Sequence, residues 1–477
     1  MTRDRTWAFL AVGLPMLAAL IANLSSVDLT YHLRAGAEIL DTRAIPAADT
    51  WTYTAAGASW VDQQWGAQAV LAAVYRVGGW TGLALFRAAL IGVIFGCLYV
   101  IGRHRGLTAR TAALLTLAAF AISAVALGLR PQLLGMTLFA IVLLLVVDRH
   151  AHPRRLWLVP LLVAVWANLH GSFFLGPLVV GLAAIEDVGD KAPGADRVFA
   201  IAIVSAIAGC LTPFGPMVWA YAVGLSTNPL VTQRITEWQP TTIRDVPGIL
   251  FFGSALAVVT LIARRGSRTS WPTLLWLATF FAIGVYAIRG VAWWPLAVVP
   301  AIAGTLLTDP AGAAVRGPEP AALRALNAVV VVLLVVAGIA LLPAWRPLDP
   351  GLGAPVGVVG NAPPGITAAL RDDLRAGDRV FNPQPWGSWF EFALPTLPVA
   401  LDSRIELFPV DVWDDYEGVV AGTGDWQRQL EDWGVTTAVV AAVDADTFGA
   451  RLADAGWTKV YEDADGAVYR RSYPHPT

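Results

Sequence analysis

Residues 81–102 read TGLALFRAALIGVIFGCLYVIG, an apolar run with a single charged residue, Arg87. At about 1.5 Å per residue, a helix of roughly 20 such residues crosses the hydrocarbon core of a bilayer. Similar runs recur along most of the chain, at 7–24, 110–128, 132–147, 156–169, 171–186, 198–216, 249–263, 271–288, 290–307 and 323–344. The pattern predicts a mainly α fold, a polytopic transmembrane helical bundle of about 11 spans.

The composition is also that of a membrane protein. The hydrophobic fraction is 56%, the mean hydropathy is +0.59 and the 477 residues include 20 tryptophans, which excludes an ordinary soluble globular protein. A net charge of −2 provides no overall field to recruit nucleic acid, so no nucleic-acid partner is expected. Cys97 and Cys210 lie in apolar runs and are predicted to pack there rather than to form a disulfide or bind metal.

The positions of the arginines predict the orientation. With a cytoplasmic N-terminus, the loops that carry Arg clusters fall on the cytoplasmic side, at 103–105, 149–155, 187–197, 264–268 and 308–324. The opposite side then receives the loop at 25–80, residues 130–132, 168–171 and 226–245, Arg289 and everything after Pro343. This orientation requires the short apolar stretch 66–79 to lie in the interface as a helix. We therefore expect a multi-pass protein with an extracytoplasmic C-terminus.

The C-terminal part has a different composition. Residues 1–345 are predicted to form the transmembrane domain, and the Pro- and Gly-rich stretch 346–364 is predicted to be a linker. Residues 365–477 contain many Asp and Glu and no span, which predicts a small soluble extracytoplasmic α/β domain. Its predicted strands lie at 379–381, 436–443, 459–461 and 467–469, and its predicted helices at 365–375, 425–433 and 445–455.

The first polar loop begins with Asp28, Tyr31, His32 and Arg34. If this segment is helical, Asp28, Tyr31 and His32 share one face because of their i, i+3, i+4 spacing. A carboxylate, an imidazole and a guanidinium at a membrane surface suit proton abstraction next to a bound phosphate. We predict a catalytic role for Asp28 and substrate or phosphate binding for His32 and Arg34. The alternative is that Asp28 only ends the first helix in the headgroup water.

The same loop closes with Trp60, Asp62, Gln63 and Trp65. Two tryptophans near a membrane surface are typical interfacial anchors, and we predict that role for both of them. Asp62 and Gln63 are polar groups between these anchors, at the depth where the chain returns to the bilayer. They are predicted to contact the substrate.

Two isolated arginines are candidate phosphate ligands. Arg130 ends one apolar run, and Arg289 lies between two others. Snorkelling explains most arginines at the ends of spans. Both residues nevertheless fall on the side where arginine is disfavoured, and a bound phosphate would explain that placement.

Three more polar residues are predicted to bind substrate. Asn168 and His170 interrupt a long apolar run and are predicted to line a cavity, although a lone histidine is more often a hydrogen-bonded core residue. Glu237 belongs to the large outer loop, where a solvated surface position is the alternative.

The sequence contains no established motif for a metal or a nucleotide. P-loop, GxSxG, HExxH and dinucleotide fingerprints are all missing. A Mg²⁺ or Mn²⁺ site would have to be assembled from Asp28, Asp62 and other distant carboxylates. No cofactor is therefore predicted, and a divalent metal remains the open alternative.

These residues resemble the GT-C superfamily of membrane glycosyltransferases, which includes protein O-mannosyltransferases, aminoarabinose transferases and oligosaccharyltransferase catalytic subunits. The resemblance rests on Asp28 after the first span, an interfacial helix in that loop, Arg130 in the second outer loop and a soluble C-terminal domain. Short segments also look like bacterial membrane proteins placed near this superfamily, at 28–36, 53–65, 130–132, 166–171 and 237–240.

In that superfamily the first-loop carboxylate is a general base or a metal ligand, and the resemblance gives this role to Asp28. The oligosaccharyltransferases carry acidic metal ligands in the second outer loop, where this chain has Arg130-Pro131-Gln132. Residues 382–390, which include Trp386, look like a degenerate form of their acceptor-recognition segment and lack its Asp. Asp402 and Arg404 follow, and they either face the membrane cavity or form a structural turn.

The resemblance implies an inverting glycosyltransferase of the bacterial plasma membrane. It would move a hexosyl or pentosyl group from a polyprenyl-phosphate donor to an acceptor hydroxyl of the cell envelope. The expected partners are this lipid-linked donor, membrane lipids and the envelope acceptor. A non-catalytic membrane scaffold is one alternative. A transporter or flippase is another, but it predicts ionisable residues near span centres, whereas here nearly all lie near span ends.

Overall fold

A computed structural model describes residues 1–265, 269–306, 319–373, 375 and 377–471. The chain is mainly helical and has a small sheet region near its C-terminus, which confirms the predicted fold class at that level. It forms two compact units: Met1–Ala22 with Ala84–Leu342, and Asn23–Leu83 with Pro343–Thr477. The loops predicted at 264–268 and 308–324 lie partly outside the described residues.

Apolar helices make up most of the first unit. In the described part of the chain, seven helices are long and apolar enough to cross a membrane: Arg3–Ile21, Trp65–His104, Ala109–Ala126, Gly171–Gly189, Val246–Arg264, Ile288–Leu306 and Ala321–Ala340. Shorter apolar helices are Pro131–Val147, Arg155–Ala167 and Trp271–Tyr286. The helix predicted at 198–216 is Ala195–Ala208 instead. A helical membrane bundle is thus supported, and the number of spans stays a prediction.

Aromatic rings fill the centre of this unit. The Phe139 ring lies 5.2 Å from Trp293, 5.7 Å from Phe280 and 6.3 Å from Trp166. Phe139 belongs to the helix Pro131–Val147. Proline is favoured at the first position of a helix, because the backbone N–H that it lacks would have no hydrogen-bond partner within the first turn. The buried helix therefore places the preceding residue, Arg130, at its N-terminal end.

The helix Trp65–His104 contains a break. Gly79 has φ 55° and ψ −150°, which is not helical and which favours glycine. The sequence predicts two helices here, at 66–79 and 81–102, and the break occurs between them. Whether the first helix lies in the membrane interface stays a prediction.

The second unit is organised around the helix Ser26–Thr42, which packs on the helix Gln384–Ala393. Glycine at position 36 lets the helix Ser26–Thr42 pack closely against the backbone at Gln68. Any larger residue would clash there, because a Cβ at Gly36 would lie 2.0 Å from the carbonyl oxygen of Gln68. The sequence assigned residues 25–80 to the membrane domain, whereas residues 23–83 form one unit with the C-terminal residues. The spacing of residues within the loop could not predict that it belongs to the C-terminal unit, because the contacts that form this unit join residues far apart in sequence.

The stretch 346–364, expected to be a linker, contains three short strands. Leu348–Asp349 pairs with Ala354–Pro355, antiparallel, and Val359–Gly360 pairs with Leu24–Ser25, parallel. The second pairing joins this stretch to the residues just before the helix Ser26–Thr42. The segment is therefore part of the second unit and not a free connection.

A four-stranded sheet forms the rest of the second unit, with the strand order Val380–Phe381, Thr437–Ala441, Gly466–Arg471 and Trp457–Glu462. The first pair is parallel and the others are antiparallel. Strands are thus observed in all four predicted places. The accompanying helices are Pro364–Asp373, Gln384–Ala393, Val410–Ala421, Trp426–Asp432 and Ala450–Asp454. The helices Gln384–Ala393 and Val410–Ala421 had not been predicted.

Candidate functional site

Asp28 lies in the first turn of the helix Ser26–Thr42. The helix begins here because the Ser25 side chain accepts a hydrogen bond from the backbone N–H of Val27 at 3.4 Å. Since the segment is helical, Asp28, Tyr31 and His32 do share one face. Asp28 and Tyr31 are half-buried, and His32 is buried with its ring 3.9 Å from that of Tyr31. The positive end of the helix dipole lies beside the Asp28 carboxylate.

Arg34 is on the same helix, but its guanidinium binds protein groups. Nη1 donates to the carbonyl oxygen of Glu391 at 2.9 Å, and Nη2 donates to that of Pro395 at 3.2 Å. The guanidinium also stacks on Trp51 at 4.7 Å, and burial lowers the pKa of Arg34. A phosphate at Arg34 would have to compete with these contacts, so the structure favours a role in packing.

The second unit contains a buried ionic cluster around Arg404, which is 1% exposed. Its Nη2 lies 2.5 Å from Asp402, 2.6 Å from Asp49 and 3.8 Å from Glu391. The guanidinium stacks on Trp51 at 4.3 Å and on Trp60 at 4.7 Å. We call Arg404, Asp49, Asp402, Glu391 and Arg34 the arginine cluster.

Glu391 is the third carboxylic acid of this cluster, beside Asp49 and Asp402. Burial raises the pKa of Glu391 well above its ordinary value, and the neighbouring Asp402 carboxylate raises it further. Nearby carboxylates raise the pKa of Arg404, which stays charged. Of the two alternatives for Asp402 and Arg404, the structure favours the structural turn, because neither side chain reaches solvent.

Trp60 does not act as a membrane anchor, which corrects the prediction for that residue. It is buried because its ring packs against the Arg404 guanidinium and lies 5.3 Å from Trp51. Trp65, by contrast, is half-buried. Sequence position near a span predicted an interfacial ring, whereas the Trp60 ring lies in a cation–π contact with a distant arginine.

Asp62 and Gln63 are both buried. Gln68 donates to Asp62 Oδ1 at 2.7 Å, and burial raises the pKa of Asp62 to about 7. A carboxyl group with this pKa changes charge near neutral pH. The predicted substrate contact at these two residues would therefore need access to groups that the surrounding protein covers.

A second cluster lies in the first unit, where Glu237 joins two arginines. Arg130 Nη1 is 2.6 Å from Glu237 Oε1, and Arg289 Nε is 3.6 Å from Glu237 Oε2. The Arg289 guanidinium lies over the Trp238 ring at 5.1 Å. The arginine side chains are 28% and 26% exposed and that of Glu237 is 40% exposed, so solvent reaches all three. We call Arg130, Glu237 and Arg289 the bridged arginine pair.

Short turns at the ends of helices position this pair. Glu237 belongs to the 3₁₀ turn Thr236–Trp238, and Arg289 belongs to the 3₁₀ turn Ile288–Ala292. The backbone N–H of Ile288 donates to the carbonyl oxygen of Gln239 at 3.0 Å, which holds the two turns together. The pair carries two positive charges against one negative charge.

Asn168 and His170 stabilise a turn between two helices. Asn168 Nδ2 donates to the carbonyl oxygens of Ala164 and Leu211 at 2.8 and 2.9 Å. His170 Nδ1 accepts the backbone N–H of Ser172 at 3.1 Å, which places the ring proton of a neutral His170 on Nε2. These bonds explain both residues without a substrate. Trp386 is half-buried beside Phe390.

Among the described residues, no group of three His, Cys, Asp or Glu side chains is arranged to hold a metal ion. Several carboxylates do approach one another in the arginine cluster, where arginine supplies the positive charge. The bridged arginine pair likewise supplies its own cations.

Comparison with known proteins identifies the fold. No protein-family model and no curated protein sequence matches this chain. Two crystal structures of the Archaeoglobus fulgidus oligosaccharyltransferase do match it. One holds a tethered acceptor peptide with the NVT sequon; its TM-score is 0.53 at 12% identity, over 99% of this chain and 75% of that one. The apo form has a TM-score of 0.54 at 13% identity, over 98% and 74%.

The chain shares the fold of these oligosaccharyltransferase structures. At such low identity the likeness establishes the fold alone, and the reaction has to be argued from the residues of this chain. Among the candidate residues, the partly exposed charged groups are Asp28 and Arg34 in one unit and the bridged arginine pair in the other. Sequence reasoning had selected each of these residues, but it did not link Glu237 to the two arginines and did not select Asp49 or Glu391.

Proposed function

We propose that this protein is an integral-membrane glycosyltransferase that moves a sugar from a polyprenyl-phosphate donor to an acceptor hydroxyl with inversion. The observation that carries the proposal is a solvent-accessible pair of arginines, bridged by one carboxylate, in a chain with a GT-C-like fold. A lipid phosphate is the anion that a membrane protein of this fold would meet at such a pair.

The bridged arginine pair would bind the phosphate of the donor. Arginine suits this role because its planar guanidinium donates two parallel hydrogen bonds to phosphate oxygens and stays charged. Arg130 and Arg289 each lie next to one oxygen of the Glu237 carboxylate, and a phosphate that replaced this carboxylate would meet both guanidinium groups. The same charges stabilise the polyprenyl phosphate as it leaves.

Asp28 would act as the general base. Its carboxylate takes the proton of the acceptor hydroxyl, while that oxygen forms a bond to the anomeric carbon. The bond between the anomeric carbon and the phosphate oxygen breaks, and the polyprenyl phosphate departs as an anion. A positioned base of this kind contributes roughly 10²–10⁴-fold to the rate.

A substitution of Asp28 with a control on the same helix tests the proposal. Asp28→Asn removes the base, and Asp41→Asn removes a carboxylate that forms an exposed ion pair with Arg76. Both variants and the wild type would be purified in nanodiscs and assayed with a radiolabelled polyprenyl-phosphate sugar and an envelope extract as acceptor. We expect Asp28→Asn to lose at least about 100-fold in kcat and Asp41→Asn to behave like the wild type.

Two results would contradict the proposal in different ways. Unchanged transfer by Asp28→Asn would remove Asp28 as the base and leave the transferase activity intact. No transfer by the wild type from any polyprenyl-phosphate donor would remove the activity itself and favour a membrane scaffold.

A further inference from the structure

Ser403 contacts the backbone of the residue that precedes Asp28. Its hydroxyl donates to the carbonyl oxygen of Val27 at 2.6 Å, across 376 positions of sequence. Val27 lies in the first turn of the helix Ser26–Thr42, so this bond acts where the helix begins. The proposed function does not use Ser403.

A second serine determines the direction of this bond. Ser388 Oγ lies 2.7 Å from Ser403 Oγ and accepts the backbone N–H of Ser403 at 3.3 Å. A serine hydroxyl has one proton, and Ser403 donates its proton to Val27. The Ser388 hydroxyl therefore donates to Ser403. The result is a directed chain of hydrogen bonds from Ser388 through Ser403 to the start of the helix.

Ser403 is held in place on both sides along the chain. Its neighbours Asp402 and Arg404 are buried in the arginine cluster, where each has ionic partners. The helix that carries Ser388 also packs tightly here, because a Cβ at Gly387 would lie 1.9 Å from the carbonyl oxygen of Leu401. Ser403 thus offers a fixed point of attachment.

Two other bonds hold the same end of the helix. The backbone N–H of Leu24 donates to the carbonyl oxygen of Val358 at 2.6 Å. The buried hydroxyl of Ser26 donates to the carbonyl oxygen of Asn361 at 2.7 Å. These bonds hold the residues on the N-terminal side of Val27, and Ser403 holds Val27 itself.

We infer that Ser403 is a positioning residue for Asp28: its hydroxyl fixes the backbone at Val27 and thereby sets the place and direction of the Asp28 carboxylate. This inference rests on the proposed function of Asp28. A general base must lie within hydrogen-bonding reach of the proton that it removes. A displacement of about 1 Å can cost 10²-fold in rate, so loss of the Ser403 bond is expected to lower the rate without preventing folding.

Three variants of the full-length protein in nanodiscs test the inference. Ser403→Ala removes the bond, and Ser403→Thr retains a hydroxyl. Thr367→Val is the control, because Thr367 is a buried residue of the same unit whose hydroxyl donates to Pro363 and accepts from Trp389, two partners that both lie outside the helix of Asp28. Hydrogen–deuterium exchange of residues 27–32 reports the helix start directly, and sugar-transfer kinetics report the consequence.

We expect Ser403→Ala to increase exchange at residues 27–32 and to lower kcat about tenfold with KM little changed, with recovery in Ser403→Thr. Thr367→Val should change neither the exchange of these residues nor kcat. Unchanged exchange in Ser403→Ala, or increased exchange with unchanged kcat, would overturn the inference. If the wild type transfers no sugar, the proposed function fails and the catalytic part of the inference fails with it, while the exchange data still show whether Ser403 holds the helix.

Discussion

Arg404 Nη2 lies 2.6 Å from Asp49 Oδ1, and this contact joins two residues 355 positions apart in sequence. Asp49 also accepts hydrogen bonds from the backbone N–H and the hydroxyl of Thr52, at 3.1 and 2.6 Å. The first polar loop is therefore attached to the C-terminal part of the second unit by buried charge. Removing one member of such a pair leaves an uncompensated charge, which costs about 3–5 kcal/mol.

The raised pKa of Glu391 predicts different effects of substituting Glu391 and Asp402, two of the three carboxylic acids in the arginine cluster. Because burial raises the pKa of Glu391 well above its ordinary value, Glu391→Gln, which puts a neutral group of the same shape there, should leave the melting temperature nearly unchanged. Asp402→Asn removes a charge that Arg404 needs and should lower the melting temperature of the purified protein by several degrees or prevent its recovery. A strong destabilisation by Glu391→Gln would show that Glu391 is ionised.

The sequence could predict features whose signal is local. The spacing of Asp28, Tyr31 and His32 predicted a common helical face, and the shortness of the apolar stretch 66–79 together with the charge rule separated it from the run at 81–102. Contacts between distant side chains have no such signal. Nothing near Trp60 or Asp49 indicates an arginine more than 340 positions away, which is why Trp60 was expected at the membrane surface.

The bridged arginine pair was predictable from the sequence only in part. Arg130 and Arg289 were each selected because they lie where the charge rule disfavours arginine, and that reasoning needs only the order of the apolar runs. Their common partner Glu237 depends on two turns packing together, which only the structure shows.

Asp62 should make stability depend on pH. Burial raises its pKa from 3.8 to about 7 in the folded protein, whereas an unfolded chain has the ordinary value. The folded state therefore binds the proton more tightly, and its contribution to stability is fully present below about pH 4 and is lost as the pH rises to about 7. Thermal melting across this range should show a fall that Asp62→Asn reduces, because asparagine can still accept the hydrogen bond from Gln68.

The magnitude of this effect is on the order of a few kcal/mol, since one pKa unit corresponds to about 1.4 kcal/mol. Asp41→Asn is the control, because Asp41 is exposed in an ion pair with Arg76. An identical pH profile for the wild type and Asp62→Asn would show that the Asp62 carboxyl does not titrate in this range.

Substituting the arginines and substituting the glutamate of the bridged arginine pair should have opposite effects on anion binding. Arg130→Gln and Arg289→Gln should each weaken the binding of geranyl phosphate by roughly tenfold to a hundredfold, because each removes a charged donor. Glu237→Gln should strengthen binding, because the arginines lose their competing carboxylate. Isothermal titration calorimetry in nanodiscs measures all three. Arg428→Gln, which alters an exposed pair with Asp432, should have no effect.

Weaker binding in Glu237→Gln would mean that Glu237 holds the arginines in the binding geometry and does not compete with the phosphate. Equal binding in all variants would remove the pair as the phosphate site. Added salt should reduce binding to the wild type, because solvent reaches all three side chains.

Gly387 provides a test of the second unit that is independent of any reaction. An alanine Cβ at this position would lie 1.9 Å from the carbonyl oxygen of Leu401, and a backbone atom cannot move aside as the end of a flexible side chain can. Gly387→Ala should therefore push the helix Gln384–Ala393 away from Leu401 and cost about 1–3 kcal/mol. The same displacement would draw Ser388 away from Ser403, so exchange at residues 27–32 should rise as well.

Gly253→Ala is the matched helical control, because its Cβ would meet nothing within 4 Å and alanine favours a helix. Equal melting temperatures for the two variants would contradict the close packing at Gly387.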